Sequence, residues 1–187
     1  SNGAVEPESV LEAITDKTVL VSVMHANNEI GTIQPVSQIG EICKKNNVLF
    51  FVDACQTYGK LEIDINEMNI DLLATTAHKL YGPKGVGFLY VRQKNPKVNI
   101  EMQIDGGGHE KGLRSGTLPV PLIVGFGRAA EISLKKRESE YNILKNLRDS
   151  LFRGIKNQQP DVIVNGNIKS GLSHNLNLCF PGLDSES

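Results

Sequence analysis

The sequence has few cysteines, no long hydrophobic run and no excess of charge of either sign. The three cysteines, at positions 43, 55 and 179, are an odd number without the spacing of a metal site. This indicates a reducing compartment, such as the cytosol or an organelle matrix, and predicts no metal site. The longest apolar run covers residues 18–24 and is far too short to cross a bilayer. The 20 basic and 21 acidic residues are interspersed, so the charge pattern does not favour a nucleic-acid-binding protein.

The chain has 187 residues, of which 40% are hydrophobic, and this size suits one domain or one and a half. It begins at Ser1 without a methionine and stops in Asp184-Ser-Glu-Ser187 with no evident end to a fold. We therefore expect it to be the central piece of a longer protein.

Strand and helix patterns alternate through the first half of the chain. Proline and acidic residues in a first turn predict a short helix at residues 6–14, and Pro35 opens a second helix with an apolar stripe. A β-branched run at residues 18–25 predicts a strand buried on both faces. Further strands are predicted at residues 48–52, 70–75 and 86–91. Short links between these elements predict an α/β fold with a mainly parallel sheet flanked by helices.

The pattern changes after Pro119. A long helix is predicted at residues 121–157, followed by a strand at 162–164 and a strand at 175–180 that has one wet face. We assign residues 1–135 to part of a large domain. Residues 136–187 are assigned to the start of a smaller α+β C-terminal domain, which is incomplete.

Polar residues follow three of the predicted strands directly, and in open α/β sheets ligands bind at the carboxyl ends of strands. These residues are Asn27 and Asn28, then Asp53 and Gln56, then Thr76, His78 and Lys79. A lysine can hold an aldehyde, a carboxylate can pair with a pyridinium nitrogen, and an amide can bind a phenolic oxygen. Thr76 and His78 could bind a phosphate. The combination predicts a pyridoxal phosphate site.

Each of these residues also has an ordinary explanation. Asp53 alone could cap a helix, Lys79 alone could be a solvated surface residue, and Asn27 with Asn28 could form a turn. The glycines at 82, 85 and 87 match neither a dinucleotide-binding nor a P-loop fingerprint.

Four longer segments closely resemble the cysteine desulfurases that supply sulfur for iron–sulfur clusters. They are His25-Ala-Asn-Asn-Glu-Ile-Gly-Thr-Ile-Gln-Pro35, Val52-Asp-Ala-Cys-Gln56, Ala77-His-Lys-Leu-Tyr-Gly-Pro-Lys-Gly85 and Gly106-Gly-Gly-His-Glu-Lys-Gly-Leu-Arg-Ser-Gly-Thr-Leu-Pro119. This group belongs to the class V aminotransferase branch of fold-type I pyridoxal phosphate proteins. The resemblance runs through nearly the whole chain and includes the terminal Gly182-Leu-Asp-Ser-Glu-Ser187.

The resemblance implies a role for each candidate residue in binding pyridoxal 5'-phosphate. Lys79 would be the catalytic residue, because it would hold the cofactor covalently and later carry a proton. Asp53 would pair with the pyridine nitrogen and Gln56 would hydrogen-bond the phenolic oxygen. Thr76, where many relatives have serine, and His78 would hold the phosphate.

Two further residues complete this implied site. Asn28 would lie near the ring oxygen and the substrate carboxylate. Thr117 would reach the phosphate of the neighbouring subunit, which implies a homodimer.

The activity that the resemblance implies is conversion of L-cysteine to L-alanine, with the sulfur transferred as a persulfide to an iron–sulfur scaffold or another acceptor protein. We expect an intracellular protein of the bacterial cytoplasm or the mitochondrion. The family's phosphate-binding loop and ring-stacking histidine lie upstream of this chain, and its acceptor cysteine and carboxylate-binding arginine lie downstream. The isolated chain is therefore expected to be inactive and, with sheet edges and apolar helix faces uncovered, to self-associate or to be marginally stable.

None of the three cysteines fits the acceptor. Cys43 and Cys179 are predicted to be core residues, and Cys55 is predicted to lie near the cofactor. Two other interpretations stay open: a class V relative such as selenocysteine lyase, and a non-catalytic truncated or oligomerisation fragment. The joint presence of Lys79, Asp53 and Gln56 argues against a degenerate scaffold, which would not need them.

Overall fold

The computed structural model describes residues 2–183. It contains three helices, six strands and two short 3-10 turns in that part of the chain. In chain order these are α1 Pro7–Ala13, β1 Leu20–Met24, α2 Val36–Lys45, β2 Leu49–Asp53, β3 Leu72–Thr76, the turn Ala77–Leu80, β4 Gly87–Val91, the turn Glu110–Gly112, α3 Val120–Gln158, β5 Ile163–Asn165 and β6 Asn177–Cys179. The last four residues of the family-like terminal segment, 184–187, lie outside the described residues.

The first four strands form one sheet in the order β1-β2-β3-β4. Strands β1, β2 and β3 are parallel, and β4 runs antiparallel to β3. The predicted α/β fold with a mainly parallel sheet is therefore confirmed. Met24 pairs with Asp53, and Asp53 pairs with Ala74, so the carboxyl ends of the three parallel strands lie side by side.

The main core lies between this sheet and α2. Ile39 and Cys43 of the predicted helical stripe are buried and pack with Phe50 and Val52 of β2. Burying a side chain such as Phe50 or Ile39 contributes about 1.5–3 kcal/mol. Gly40 lets α2 approach the segment that precedes β3, because a Cβ at this position would collide with the backbone oxygen of Met68.

The prediction that β1 is buried on both faces is wrong within the described residues. Its side chains alternate between half-buried and exposed, with Leu20 44% and Met24 36% exposed. The physical reason is that one face of the strand packs against the main core, whereas the face with Leu20 and Met24 is left exposed in the described structure. A second prediction is also wrong: Cys179 is exposed, whereas Cys43 is buried as expected.

Helix α3 spans 39 residues without interruption. Near its start, Phe126 and Ala129 pack against Ala77 and Leu80. Further along, Arg148 donates a hydrogen bond to the carbonyl oxygen of Leu172 at 3.0 Å. The proposed domain boundary at residue 135 lies inside this helix and stays a prediction. No helix in the described region is long and apolar enough to cross a membrane.

The last two strands, β5 and β6, form a separate antiparallel pair. The predicted strand at 175–180 is shorter in the structure, at Asn177–Cys179. A loop of residues 166–176 joins the two strands and packs against the chain that follows β1, with the Leu172 N–H donating to the Gly31 carbonyl oxygen at 2.8 Å.

Candidate active site at the carboxyl edge of the sheet

The candidate residues follow the carboxyl ends of three adjacent strands. Asp53 is the last residue of β2, and Thr76 is the last residue of β3. The segment with Asn28 begins directly after β1, which ends at Met24. Since these strands are parallel neighbours, the sheet brings their ends to one edge, as the sequence predicts.

Lys79 lies on the 3-10 turn Ala77–Leu80, which follows β3 without a gap. Ala77 and Leu80 are buried and anchor the turn against α3, whereas His78 and Lys79 between them are exposed. The turn ends at Tyr81, which adopts a left-handed conformation with φ of 62°. The buried Ala77 and Leu80 thus hold the backbone of the turn, and the Lys79 amine lies at the surface.

Asp53 is half-buried, and its Oδ1 accepts a hydrogen bond from the Cys55 backbone N–H at 2.9 Å. Burial first, then a side-chain hydrogen bond of the thiol to Asp53 and the negative charge of Asp53, raise the pKa of the Cys55 thiol to about 11. The positive charge of Lys79 acts on the same thiol in the opposite direction. The charges of Lys79 and Asp53 therefore both act on the Cys55 thiol.

A second lysine contributes positive charge to this edge. Lys60 is half-buried in the turn that follows Asp53, and burial, then the charge of Lys79, lowers the pKa of its ammonium. A partly desolvated pair of cations favours an anionic ligand. The sequence analysis did not assign Lys60 a role.

Thr76 and His78 form a polar pair next to Lys79. The Thr76 hydroxyl oxygen lies 2.9 Å from His78 Nδ1 and 3.3 Å from the Val86 carbonyl oxygen. If the hydroxyl donates to Val86, it accepts from a protonated Nδ1. If the hydroxyl donates to Nδ1 instead, the ring proton is on Nε2, and this exposed N–H can donate to a phosphate oxygen.

A buried hydrogen bond joins the end of β1 to the turn that carries Gln56. His25 Nδ1 lies 3.0 Å from the Thr57 hydroxyl oxygen, with the two residues 4% and 0% exposed. Burial lowers the pKa of the His25 imidazole to about 4, so this histidine is neutral at pH 7. The backbone N–H of His25 also donates to the Asp53 carbonyl oxygen at 2.8 Å. No role was predicted for this pair, although His25 lies at a strand end, as Asp53 does.

All 187 residues match the family described as aminotransferase class V. The chain belongs to the class V aminotransferases. It is 48% identical over 186 residues to the cysteine desulfurase IscS of Ehrlichia chaffeensis, covering 100% of this chain and 45% of that protein. It is 48% identical over 189 residues to the mitosomal cysteine desulfurase of Trachipleistophora hominis, covering 99% of this chain and 43% of that protein. A solved NifS-like protein superposes with a TM-score of 0.90 at 39% identity, covering 97% of this chain and 49% of that one.

These similarities confirm the family that the four motifs indicate. This class V chain spans about half the length of the relatives it matches. The sheet edge with Lys79 lies within this half.

The remaining candidates lie on three different segments and differ in exposure. Gln56 is half-buried in the turn after Asp53, and Asn28 is exposed on the segment after β1. Thr117 is exposed in the loop that precedes α3. Its expected ligand belongs to a second subunit, so its role stays a prediction.

Proposed function

We propose that this chain forms the lysine-bearing part of a pyridoxal phosphate-dependent cysteine desulfurase. The reaction converts L-cysteine to L-alanine and transfers the sulfur as a persulfide for iron–sulfur cluster assembly. The observation that carries the proposal is the placement of Asp53, the Thr76–His78 pair and Lys79 at adjoining strand ends. The similarity of the whole chain to cysteine desulfurases supports the same conclusion.

The chemistry of these residues fits pyridoxal 5'-phosphate. Asp53 would pair with the pyridine nitrogen, and Lys79 would bind the aldehyde carbon covalently. Thr76 and His78 would bind the phosphate, which the positive charge of Lys60 and Lys79 also favours. When bound, the cofactor supplies an electron-accepting ring beside the substrate's α-carbon.

Gln56 and Asn28 would lie near the phenolic oxygen of the cofactor ring. Gln56 would donate a hydrogen bond to the phenolic oxygen. Asn28 would lie near that oxygen and the carboxylate of the amino-acid substrate. Thr117 would act across the interface of a homodimer.

The Lys79 amine would take and return a proton at the α-carbon of the substrate. Its position on an anchored turn supports this role, because Ala77 and Leu80 hold the backbone while the side chain is exposed. The carboxylate of Asp53 would stabilise the positive charge on the ring nitrogen. The two residues would thus act at opposite ends of the same conjugated system.

The sulfur acceptor would be a cysteine outside the described residues. Cys43 is buried, and its pKa is raised to about 11, by burial first and then by the charge of Asp71. The pKa of Cys55 is likewise raised to about 11. Since the thiolate is the nucleophile, neither thiol is suited to receive sulfur at neutral pH. Cys179 is exposed, but it lies on β6 in the separate two-stranded sheet and not at the edge that carries Lys79.

The partners and the location follow from the same proposal. The substrate would be L-cysteine, and the persulfide would pass to an iron–sulfur scaffold or another acceptor protein. Residues 1–135 would belong to the cofactor-binding large domain and 136–187 to the smaller domain. The protein would be intracellular, in a bacterial cytoplasm or a mitochondrion, which the bacterial and mitosomal relatives support.

The test uses the native protein and its Lys79→Ala variant. Pyridoxal phosphate titration should give a visible absorption band that resists dialysis in the parent and is absent from Lys79→Ala. Incubation of the full-length protein with L-cysteine and a thiol reductant, which reduces the persulfide, should release alanine and sulfide only from the parent. The matched control is Lys94→Ala, because Lys94 is an exposed lysine beyond β4. An unchanged band in Lys79→Ala, or release of selenide from L-selenocysteine without release of sulfide from L-cysteine, would contradict the proposal.

A further inference from the structure

The segment that carries Asn28 is a tight hairpin loop of residues 26–33. Ala26 and Ile33 close it by an antiparallel bridge, and the Asn27 N–H donates to the Thr32 carbonyl oxygen at 2.9 Å. The Asn27 side-chain oxygen accepts hydrogen bonds from the backbone N–H groups of Glu29 and Ile30 at 2.9 and 3.0 Å. These bonds order the backbone on both sides of Asn28, whose own side chain is exposed.

A distant part of the chain holds the same loop by hydrogen bonds. The Asn175 side-chain N–H donates to the Glu29 carbonyl oxygen at 2.9 Å, across 146 positions of sequence. The Asn177 side chain reaches the same oxygen at 3.3 Å, and the Leu172 N–H donates to the Gly31 carbonyl oxygen at 2.8 Å. Three donors thus hold two carbonyl groups within three residues of Asn28.

The loop of residues 26–33 and the segment of residues 166–177 also fit closely against each other. Gly31 has φ of +70°, and a Cβ at this position would lie 2.7 Å from the Asn175 Cβ. A Cβ at Gly166 would lie 2.5 Å from the Ile30 carbonyl oxygen. The cavity left between the surfaces, lined by residues that include Ile30 and Asn175, has a volume of about 10 Å³, which is room for about one water molecule. The two segments are therefore in direct contact.

We propose that Asn175 is a positioning residue for Asn28, and that the 172–177 segment sets the place of Asn28 at the substrate-binding edge of the site. Asn175 is the principal donor because its bond to the Glu29 carbonyl oxygen is the shorter one, at 2.9 Å against 3.3 Å for Asn177. The C-terminal part of the chain would in this way control a residue that contacts the substrate carboxylate. This inference rests on the proposed function for the role of Asn28.

Hydrogen exchange of the native protein tests the contact itself. Asn175→Leu keeps the side chain's size but removes the donor, and it should raise the exchange rates of backbone amides 29–32 by tenfold or more without changing those of β2 and β3. Asn142→Leu is the matched control, since Asn142 is an exposed asparagine on α3. Unchanged exchange of amides 29–32 in a folded Asn175→Leu protein would overturn the proposal.

Alanine variants of Gly31 and Gly108 test the same contact from the side of the loop. This test remains available if Asn175→Leu does not fold. Gly31→Ala should also raise the exchange of amides 29–32, because the new methyl group displaces Asn175. Gly108 has the same φ of +70° with no atom within 4 Å of an added Cβ. Gly108→Ala therefore imposes the backbone strain without the collision and should leave amides 29–32 unchanged. Equal exchange rates in the two alanine variants would count against the inference.

A double-mutant cycle tests whether Asn175 acts through Asn28. Asn175→Leu should raise KM for L-cysteine about five- to twentyfold with a smaller change in kcat, and it should shift the visible band of the bound cofactor. In an Asn28→Ala background, the same substitution should change KM less than twofold. Independent, multiplicative effects on KM would overturn the positioning role. If the parent protein released no sulfide at all, the proposed function would fail, and the exchange data would still decide whether Asn175 holds the loop.

Discussion

Arg92 and Asp71 form a buried ion pair, with 3.1 Å between the Arg92 Nε and the Asp71 Oδ1 and both side chains 11% exposed. Asp71 Oδ2 also accepts a hydrogen bond from the Phe50 backbone N–H at 3.0 Å. Arg92 donates to the carbonyl oxygens of Ile70 and Ile65 at 2.8 and 2.6 Å. Asp71 immediately precedes β3 and Arg92 immediately follows β4, so the pair joins these strands at the end of the sheet opposite Lys79.

Removal of one partner of this ion pair should be strongly destabilising. Arg92→Leu leaves the Asp71 carboxylate buried without its counter-charge, and we expect it to lower the free energy of unfolding by about 3–5 kcal/mol. Lys45→Ala is the control, since Lys45 and Glu41 form an exposed pair with side chains 76% and 64% exposed. It should cost less than about 1 kcal/mol. Urea unfolding of the native protein measures both values, and similar losses in the two variants would show that Arg92 is not a structural residue.

Two helical glycines should respond in opposite directions to alanine. Gly40→Ala places a methyl group against the Met68 carbonyl oxygen and should lower the free energy of unfolding by about 1–3 kcal/mol. Gly127 lies within α3, with no atom within 4 Å of an added Cβ. Gly127→Ala should therefore raise stability by about 0.5–1 kcal/mol, because alanine favours the helix. Thermal and urea unfolding distinguish the two, and equal effects would contradict the close approach at Gly40.

His25 should make the folded state sensitive to mild acid. Burial lowers the pKa of His25 from 6.5 to about 4 in the folded protein, so between these values the unfolded chain binds more protons than the folded one. Stability should accordingly fall as pH decreases from about 6.5 to 4, by up to about 3 kcal/mol. The measurement is the difference in unfolding free energy between the parent and His25→Asn across this pH range. Taking the difference cancels the contributions of the other titrating groups. Parallel pH curves for the two proteins would rule out His25 as the source.

The three cysteines should differ in their reactivity with iodoacetamide. Cys179 is exposed and should be alkylated first. Cys55 should react slowly at pH 8, because its pKa of about 11 leaves little thiolate. Asp53→Asn removes the negative charge beside Cys55 and should speed its alkylation several-fold, with Cys179 as the internal control. Peptide mass spectrometry gives each rate, and an unchanged Cys55 rate would mean that Asp53 does not act on this thiol.

Local patterns predict the four-stranded sheet and the site edge well. The apolar stripe beginning after Pro35 predicts α2, because a helix that covers a sheet must present one hydrophobic face. The strand ends at Asp53 and Thr76 predict a common edge, because parallel neighbours end together. The class V motifs then associate these positions with pyridoxal phosphate chemistry.

Other features depend on contacts that no local pattern contains. The β-branched run of β1 shows that both faces are apolar, but not whether neighbouring strands and helices cover them, and in the described structure the face with Leu20 and Met24 is exposed. The bond between His25 and Thr57 joins residues 32 positions apart. The contact between Asn175 and Glu29 spans a still longer separation. The domain boundary at residue 135 and the individual roles of the site residues stay predictions.

Helix α3 links the two sides of the candidate site as a single rigid rod. Ala129 packs beside the turn that carries Lys79, and Arg148 holds Leu172, which in turn bonds the loop that carries Asn28. At 1.5 Å per residue, about 29 Å separates Ala129 from Arg148 along the axis, and a bend of 5° at Ala129 would displace Arg148 by about 2.5 Å. Such a displacement is enough to break the Arg148–Leu172 hydrogen bond. Besides the sheet that joins β1 to β3, the straightness of a helix that contributes neither residue thus affects the spacing between Lys79 and Asn28.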